Sequence, residues 1–156
     1  MPAARQRLIL KSPLQKKMKL IIAYVKPERF KEVKKELYNA DVFRMSVSKS
    51  RGCGQQGGFI EIFRAVKQEV TLLPKIRIEI AVNDSFVEKT TEAIIKGART
   101  GEIGDGKIFV LPLEDCIRIR TGERGIPAVG GGSSELERET GIAFSKSMGK
   151  DKHGKG

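Results

Sequence analysis

Apolar residues recur along this chain with two periods, two residues and three to four residues, and the order of those periods predicts a fold. Lys19 to Val25 is a nearly continuous apolar run of strand length. Pro27 then stands where a first helical turn accepts proline. Phe30, Val33, Leu37 and Tyr38 form a stripe on one side of the predicted helix, with Lys and Glu on the other. Val42 to Ser50 alternates by face and predicts a second strand. After a long gap, Ile76 to Val82 gives the cleanest period-two alternation in the chain. Asp84 or Ser85 caps the next helix, Ser85-x-x-Glu88 fits a capping box, and Val87, Thr91, Ile94, Ile95 and Ala98 are its predicted buried face. Lys107 to Leu113 and Ile117 to Thr121 read as the closing strands.

That order is βαββαβ with one short extra strand, which predicts an α+β, ferredoxin-like sandwich. Such a sheet carries helices on one face only. Ile78, Ile80 and Val110 are expected on the bare face, too apolar to leave in water, so an oligomer is expected to cover them.

Composition narrows this picture. The 156 residues are one domain's worth, 39% apolar and 31% charged, ordinary for a globular protein. The net charge of +11 divides unevenly: residues 1–17 hold five basic residues and no acid, residues 18–124 hold 20 against 15, and residues 125–156 five against four. Nearly half the excess therefore belongs to a short N-terminal extension, expected to be disordered, with Met18 as the natural first residue; a transit peptide is the alternative. The +5 of the domain suits nucleic acid or a small anionic ligand equally. No apolar run has the roughly 18 residues of a membrane span, so no membrane insertion is expected. Cys53 and Cys116 have no metal-site spacing and point to a reducing, cytoplasmic setting. Beyond the domain, 124–156 reads as a flexible extension: a Gly130–Ser134 linker, a short helix over Glu135 to Ile142, and a polar end that holds the only histidine, His153. A Cys–His or Ser–His catalytic pair within the domain is thereby excluded.

The candidate chemistry lies in Arg99-Thr-Gly-Glu-Ile-Gly-Asp-Gly-Lys107. Gly101, Gly104 and Gly106 free the backbone to bring N–H groups to an anion, and Lys107 follows at once. Arg118 and Arg120, two apart, are expected on one face of the last strand. Together they make a candidate polyphosphate cradle. Gly101-x4-Gly106-Lys107 matches the first part of a Walker A pattern, but Ile108 occupies the Ser/Thr position and a helix leads into the loop, so a P-loop NTPase is not indicated. The gap 51–74 contains Gly52-Cys-Gly-Gln-Gln-Gly57, a GxGxxG match with no helix after it, since Phe59 to Phe63 looks extended. Loops of that length are usually functional or disordered.

With these elements placed, the chain resembles the PII nitrogen-regulatory signalling proteins from Met18 to Glu123. The resemblance rests on Lys26-Pro27, on Gly52-Cys-Gly-Gln-Gln-Gly-Gly58, on Leu73-Pro-Lys75, and above all on Ala98 to Val110 and Ile117-Arg-Ile-Arg-Thr-Gly-Glu123. It implies a compact homotrimer with ATP or ADP in three inter-subunit clefts, 51–74 as the partner-binding T-loop and 99–107 as the B-loop. Carried over by position, Gly54, Gln56, Thr100, Gly101, Gly104, Asp105, Gly106 and Lys107 would meet the nucleotide, and Arg118 and Arg120 would reach in from the neighbouring subunit. Gln56 would help ligate Mg²⁺ beside the phosphates and 2-oxoglutarate. Lys75, with Gln56 and Gly58, would bind 2-oxoglutarate, and Arg64 would contact a partner. The implied partners are an ammonium transporter, a nitrogenase system or a nitrogen-assimilation enzyme, with cytoplasmic location and recruitment to the membrane by the transporter.

The residues depart from the family pattern in places. Gln68 and Val66 stand where the family's modified tyrosine and serine fall, so uridylylation or phosphorylation of the T-loop is not expected. Gln55 and Gly57 replace basic residues, which weakens the expected phosphate contacts on that side. The expectation is a non-enzymatic sensor that switches its T-loop with ligand. An adenylate-only sensor of the same fold is the alternative. An RNA-binding ferredoxin-like module lacks the aromatic pattern it needs, and a nucleotide-hydrolysing enzyme would have to use Asp105 or Glu79 as base.

Overall fold

The computed structural model describes residues 18–53, 62–63, 66–67 and 72–130. Its elements run β1 (Met18–Val25), a 3₁₀ turn at Pro27–Arg29, α1 (Phe30–Asn39), β2 (Ser46–Gly52), β3 (Ile62–Phe63), β4 (Val66–Lys67), β5 (Leu73–Asn83), α2 (Asp84–Ala98), β6 (Lys107–Leu113) and the short α3 (Ile126–Val129). Strands β2, β5, β1 and β6 lie side by side in that order, all antiparallel, while β3 and β4 pair separately. This is the ferredoxin-like arrangement, with both helices on one face of the sheet.

Register decides which residues fill the core. Ile21 pairs with Ile80 and Ala23 with Ile78, so these residues share the helix-covered face and are fully buried with Val25, Val33, Leu37 and Ile94. Ile78 and Ile80 are thus core residues and not part of the bare face, contrary to expectation. The open face instead carries Leu20, Ile22, Tyr24, Phe109 and Leu111 on β1 and β6, with Arg77 and Glu79 on β5. Phe109 is 48% exposed and meets Tyr24 edge to face at 6.2 Å. A wide apolar strip therefore remains for another molecule to cover.

The two helices touch at Gly97, where a Cβ would fall 2.5 Å from the Val33 Cα; only glycine allows the backbones so close. Arg29 closes the same joint by donating through Nε and Nη2 to the Gly97 carbonyl at 3.0 and 2.7 Å, which satisfies an orphan acceptor at the end of α2.

Several local expectations shift. The helix predicted from Pro27 begins as a 3₁₀ turn. Tyr38 is exposed and stacks on Phe43 instead of entering the core. Strand β2 starts at Ser46, so Val42 to Met45 form the connection, although Val42 is buried. The buried face of α2 is Thr90, Ala93, Ile94, Gly97 and Ala98, one position away from the predicted Thr91 and Ile95. Helix α2 has Asn83 at its cap with no side-chain capping bond, so the Ser85–Glu88 box is not used as such. Ile117 to Thr121 is no strand: Ile117 bridges Arg124, and a turn from Arg118 to Gly122 lies between. Beyond Glu123 the chain continues into α3, with Val129 buried. The N-terminal extension, the linker beyond Gly130, the 135–142 helix and His153 lie outside the described residues.

Candidate functional site

Residues 99–107 link the end of α2 to the start of β6, and their shape is fixed by their own side chains. Asp105 accepts from the Thr100 N–H at 2.8 Å, the Gly101 N–H at 2.9 Å and the Thr100 hydroxyl at 2.5 Å. Those hydrogen bonds, the Thr100 hydroxyl and N–H first, hold the Asp105 carboxyl well below the usual carboxylate range, with the Lys26 ammonium adding a smaller push. Lys26 Nζ stands 3.5 Å from that carboxylate, tying the end of β1 to the loop. From the other side Lys75 donates to the Gly104 carbonyl at 2.9 Å.

Gly106 completes the frame. Its φ is +106°, and a Cβ there would lie 2.8 Å from the Tyr24 carbonyl carbon and closer still to the oxygen. The loop can press against β1 only because this residue has no side chain.

Beneath the loop opens a cleft of about 310 Å³, lined by Tyr24, Val25, Ile94, Ile95, Ala98 and Ile108 with Asp105, Gly106 and Lys107 at its rim. An apolar floor under a glycine-rich, lysine-edged rim suits a flat heteroaromatic ring with an anionic tail. A second cleft of about 560 Å³ lies at the root of the 51–74 segment, lined by Pro27, Lys49, Ser50, Arg51, Pro74, Lys75 and Ile76. Lys75, on the wall of this second cleft, is the residue that bonds the Gly104 carbonyl of the loop.

The expected site residues divide accordingly. Thr100, Gly101, Gly104, Asp105, Gly106, Lys107 and Lys75 are gathered at this end of the sheet. Asp105 spends its carboxylate oxygens on the Thr100 and Gly101 N–H groups and the Thr100 hydroxyl, so its side chain shapes the loop. Arg118 and Arg120 do not share a strand face, because they sit at the start and within a turn. Arg118 pairs with Glu123 at 3.3 Å and donates to the Pro127 carbonyl at 3.0 Å, while Arg120 is exposed. Gly54, Gln56, Gly58 and Arg64, and the departures Gln55, Gly57 and Gln68, lie outside the described residues, and of Val66 only its place in β4 is described. Among the described residues, no group of three His, Cys, Asp or Glu side chains is placed to hold a metal ion. Sequence reasoning missed Lys26 as a loop partner; its position before Pro27 marked a helix start, and nothing local announces a contact 79 residues away in the chain.

Comparison with known proteins agrees with the geometry. A family model described as "Nitrogen regulatory protein P-II" matches residues 18–123. The chain is 54% identical over 114 residues to "Nitrogen regulatory protein GlnK1" of Methanosarcina mazei, covering 72% of this chain and 97% of that protein. It is 46% identical over 112 residues to "Nitrogen regulatory protein P-II" of Azospirillum brasilense, covering 72% of this chain and all of the relative. Among solved structures it is similar to Arabidopsis thaliana PII bound to citrate, with a TM-score of 0.59, 41% identity, and coverage of 72% and 92% of the two chains. It is likewise similar to B. subtilis GlnK, with a TM-score of 0.60, 37% identity, and coverage of 72% and 98%. A trimer and the binding of adenine nucleotides and 2-oxoglutarate are characteristic of this group of regulatory proteins. With its antiparallel sheet, its glycine-rich loop above an apolar cleft and a family match over residues 18–123, the chain belongs to the nitrogen regulatory protein P-II family.

Proposed function

We propose that this chain is a trimeric, non-enzymatic sensor that binds ATP or ADP and 2-oxoglutarate and regulates partner proteins through residues 51–74. The observation that carries the reading is the loop 99–107, already shaped and edged by Lys107 above an apolar cleft of about 310 Å³. Phosphate contacts alone would not suffice. Three or four charge-assisted bonds at about 1.5–3 kcal/mol each barely match an association cost of about 4–15 kcal/mol. Burial of the base against a neighbouring subunit supplies the remainder, and the apolar strip of Leu20, Ile22, Tyr24, Phe109 and Leu111 gives that neighbour a surface to pack on.

In this reading Gly101, Gly104, Gly106 and Lys107 face the phosphates, Arg118 and Arg120 approach from the adjacent protomer, and Thr100 and Asp105 keep the loop in shape. Lys75 reads a carboxylate of 2-oxoglutarate, with Gln56 and Gly58. Mg²⁺, held by ligand oxygens and Gln56, would supply charge neutralisation between the phosphates and 2-oxoglutarate. Ligand contacts that differ between ATP and ADP then hold or release 51–74, and with it Arg64, which shifts partner binding. An ammonium transporter, a nitrogenase system or a nitrogen-assimilation enzyme fits as target; the protein acts in the cytoplasm and reaches the membrane through the transporter.

Calorimetric titration of 2-oxoglutarate in Mg-ATP and in Mg-ADP tests this. Heat seen only with Mg-ATP, and lost in Lys75→Ala, is the expected result. Nucleotide binding with no 2-oxoglutarate heat under either condition would make the chain an adenylate-only sensor. No binding of either ligand would overturn the reading, and a salt-steep affinity for RNA would then favour the RNA-binding alternative.

A further inference from the structure

Arg118 is held by residues past Glu123, where the family match ends. Cys116 to Gly125 fold back on themselves through the Arg118 N–H to the Glu123 carbonyl and the Gly125 N–H to the Cys116 carbonyl, each at 2.9 Å. The chain then makes α3 and runs into the main body of the domain. Val129 is buried, its carbonyl accepts from Arg44 at 3.4 Å, and the Gly130 carbonyl accepts from Asn83 at 3.4 Å. From this anchored turn the Pro127 carbonyl accepts from Arg118 Nη2 at 3.0 Å, while Glu123 pairs with Nη1. The Arg118 side chain is only 21% exposed as a result, although it stands beside a surface turn.

We propose that the turn Ile126–Val129, locked onto the domain by Val129 and Gly130, is a positioning device that sets the direction of the Arg118 guanidinium and thereby the strength of phosphate binding. The proposal rests on the reading above, in which Arg118 meets the nucleotide. Its physical basis is entropic: a long arginine side chain loses about 0.5–1.5 kcal/mol when immobilised on binding, and an arginine fixed by a carbonyl and a carboxylate has already lost much of that freedom. Gly130 is the sensitive point. Its φ is +82°, and a Cβ there would lie 2.7 Å from Arg44 Cζ and closer still to Nη1. The Arg44 guanidinium is the end of a flexible side chain and can swing aside, so what loosens the turn when any other residue stands at 130 is the backbone conformation, φ +82° and ψ 171°, which is essentially confined to glycine.

The test is a double-mutant cycle in the full-length protein, read by ATP calorimetry. Gly130→Ala should weaken ATP binding about three- to tenfold, the fold-change that corresponds to one re-mobilised arginine. Arg118→Ala should weaken it further, and adding Gly130→Ala to Arg118→Ala should change nothing more. Val129→Ser, which loosens the same anchor from its apolar side, should repeat the pattern if Gly130→Ala folds poorly. Equal losses with and without Arg118 would mean that the turn acts only through the fold, and would overturn the proposal. So would wild-type affinity in both anchor variants alongside a weakened Arg118→Ala; that result leaves the sensor reading intact. An Arg118→Ala protein with unchanged ATP affinity would overturn the proposal through its premise, the nucleotide role of Arg118.

Discussion

Gly101 and Gly106 offer a matched pair of perturbations in the loop on which the functional reading depends. Both have positive φ, +87° and +106°, so alanine at either position takes a conformation unfavourable to an L-residue, at about 1–2 kcal/mol. They differ in what surrounds them. A Cβ at Gly101 meets nothing within 4 Å, whereas one at Gly106 would lie 2.8 Å from the Tyr24 carbonyl carbon and overlap the oxygen. Ordinary carbon contacts begin near about 3.5 Å, so Gly106→Ala must push the loop off β1 by something on the order of 1 Å. The first casualty is the adjoining Tyr24–Lys107 pair of the β1–β6 ladder. Losing one or two such hydrogen bonds costs about 0.5–1.5 kcal/mol each.

Gly101→Ala should therefore destabilise by about 1–2 kcal/mol and Gly106→Ala by about 2–4 kcal/mol. At about 2–4 °C per kcal/mol for a chain of 156 residues, the second variant should melt below the first in circular-dichroism scans at one fixed protein concentration. Its ATP affinity should fall as well, because Lys107 moves with the loop. Equal melting temperatures for the two alanine variants would refute the argument, since they would show that the Tyr24 carbonyl imposes no constraint beyond φ.

Other variants probe the remaining structure. Ile78→Ala empties a fully buried site at the centre of the sheet and should cost about 2–5 kcal/mol in chemical denaturation. Phe109→Asp places a charge on the open face and should dissociate the trimer in light scattering without changing the far-ultraviolet spectrum; a trimer of unchanged mass would remove the open face from the interface. Asp105 has a lowered native pKa, so the stability it contributes is complete above the unfolded carboxyl value near about 3.9 and is lost as pH falls through the lower native value. The melting gap between wild type and Asp105→Asn should accordingly be constant at neutral pH and narrow below about pH 4.

The fold was legible in the sequence wherever periodicity was reinforced by burial. Ile76 to Val82 alternates cleanly because one face packs on helices and the other carries Arg77 and Glu79. Which face was covered could not be read from that alternation, since both choices give the same period; pairing with Ile21 and Ala23 settles it. On α2 the predicted stripe was right at Ile94 and Ala98 but held Thr91 and not Thr90. Thr90 is fully buried, with its hydroxyl donating to the Phe86 carbonyl one turn back at 2.6 Å, so it packs as a small core residue. Ile117-Arg-Ile-Arg alternates as a strand should, yet Ile117 and Ile119 are exposed and the backbone turns at Arg118. Local pattern yields there to the glycine and ion-pair contacts of Gly122 and Glu123.

Asp105 raises the sharper electrostatic question. If the loop receives phosphates as proposed, a carboxylate in it repels the ligand, and a neutral residue would serve better on charge alone. Against that repulsion stands order. Two backbone N–H groups, one hydroxyl and the Lys26 ammonium converge on Asp105. They spread its charge and fix Thr100 and Gly101 before any ligand arrives. Lys75 at the Gly104 carbonyl and the close approach of Gly106 to Tyr24 hold the other half of the loop. A ligand meeting such a loop does not have to order it, and preorganisation of that kind raises affinity without a new contact. On the proposed reading, the Asp105 side chain would thus serve a phosphate site by ordering it, with a sign of charge opposite to the one a search for phosphate ligands would select.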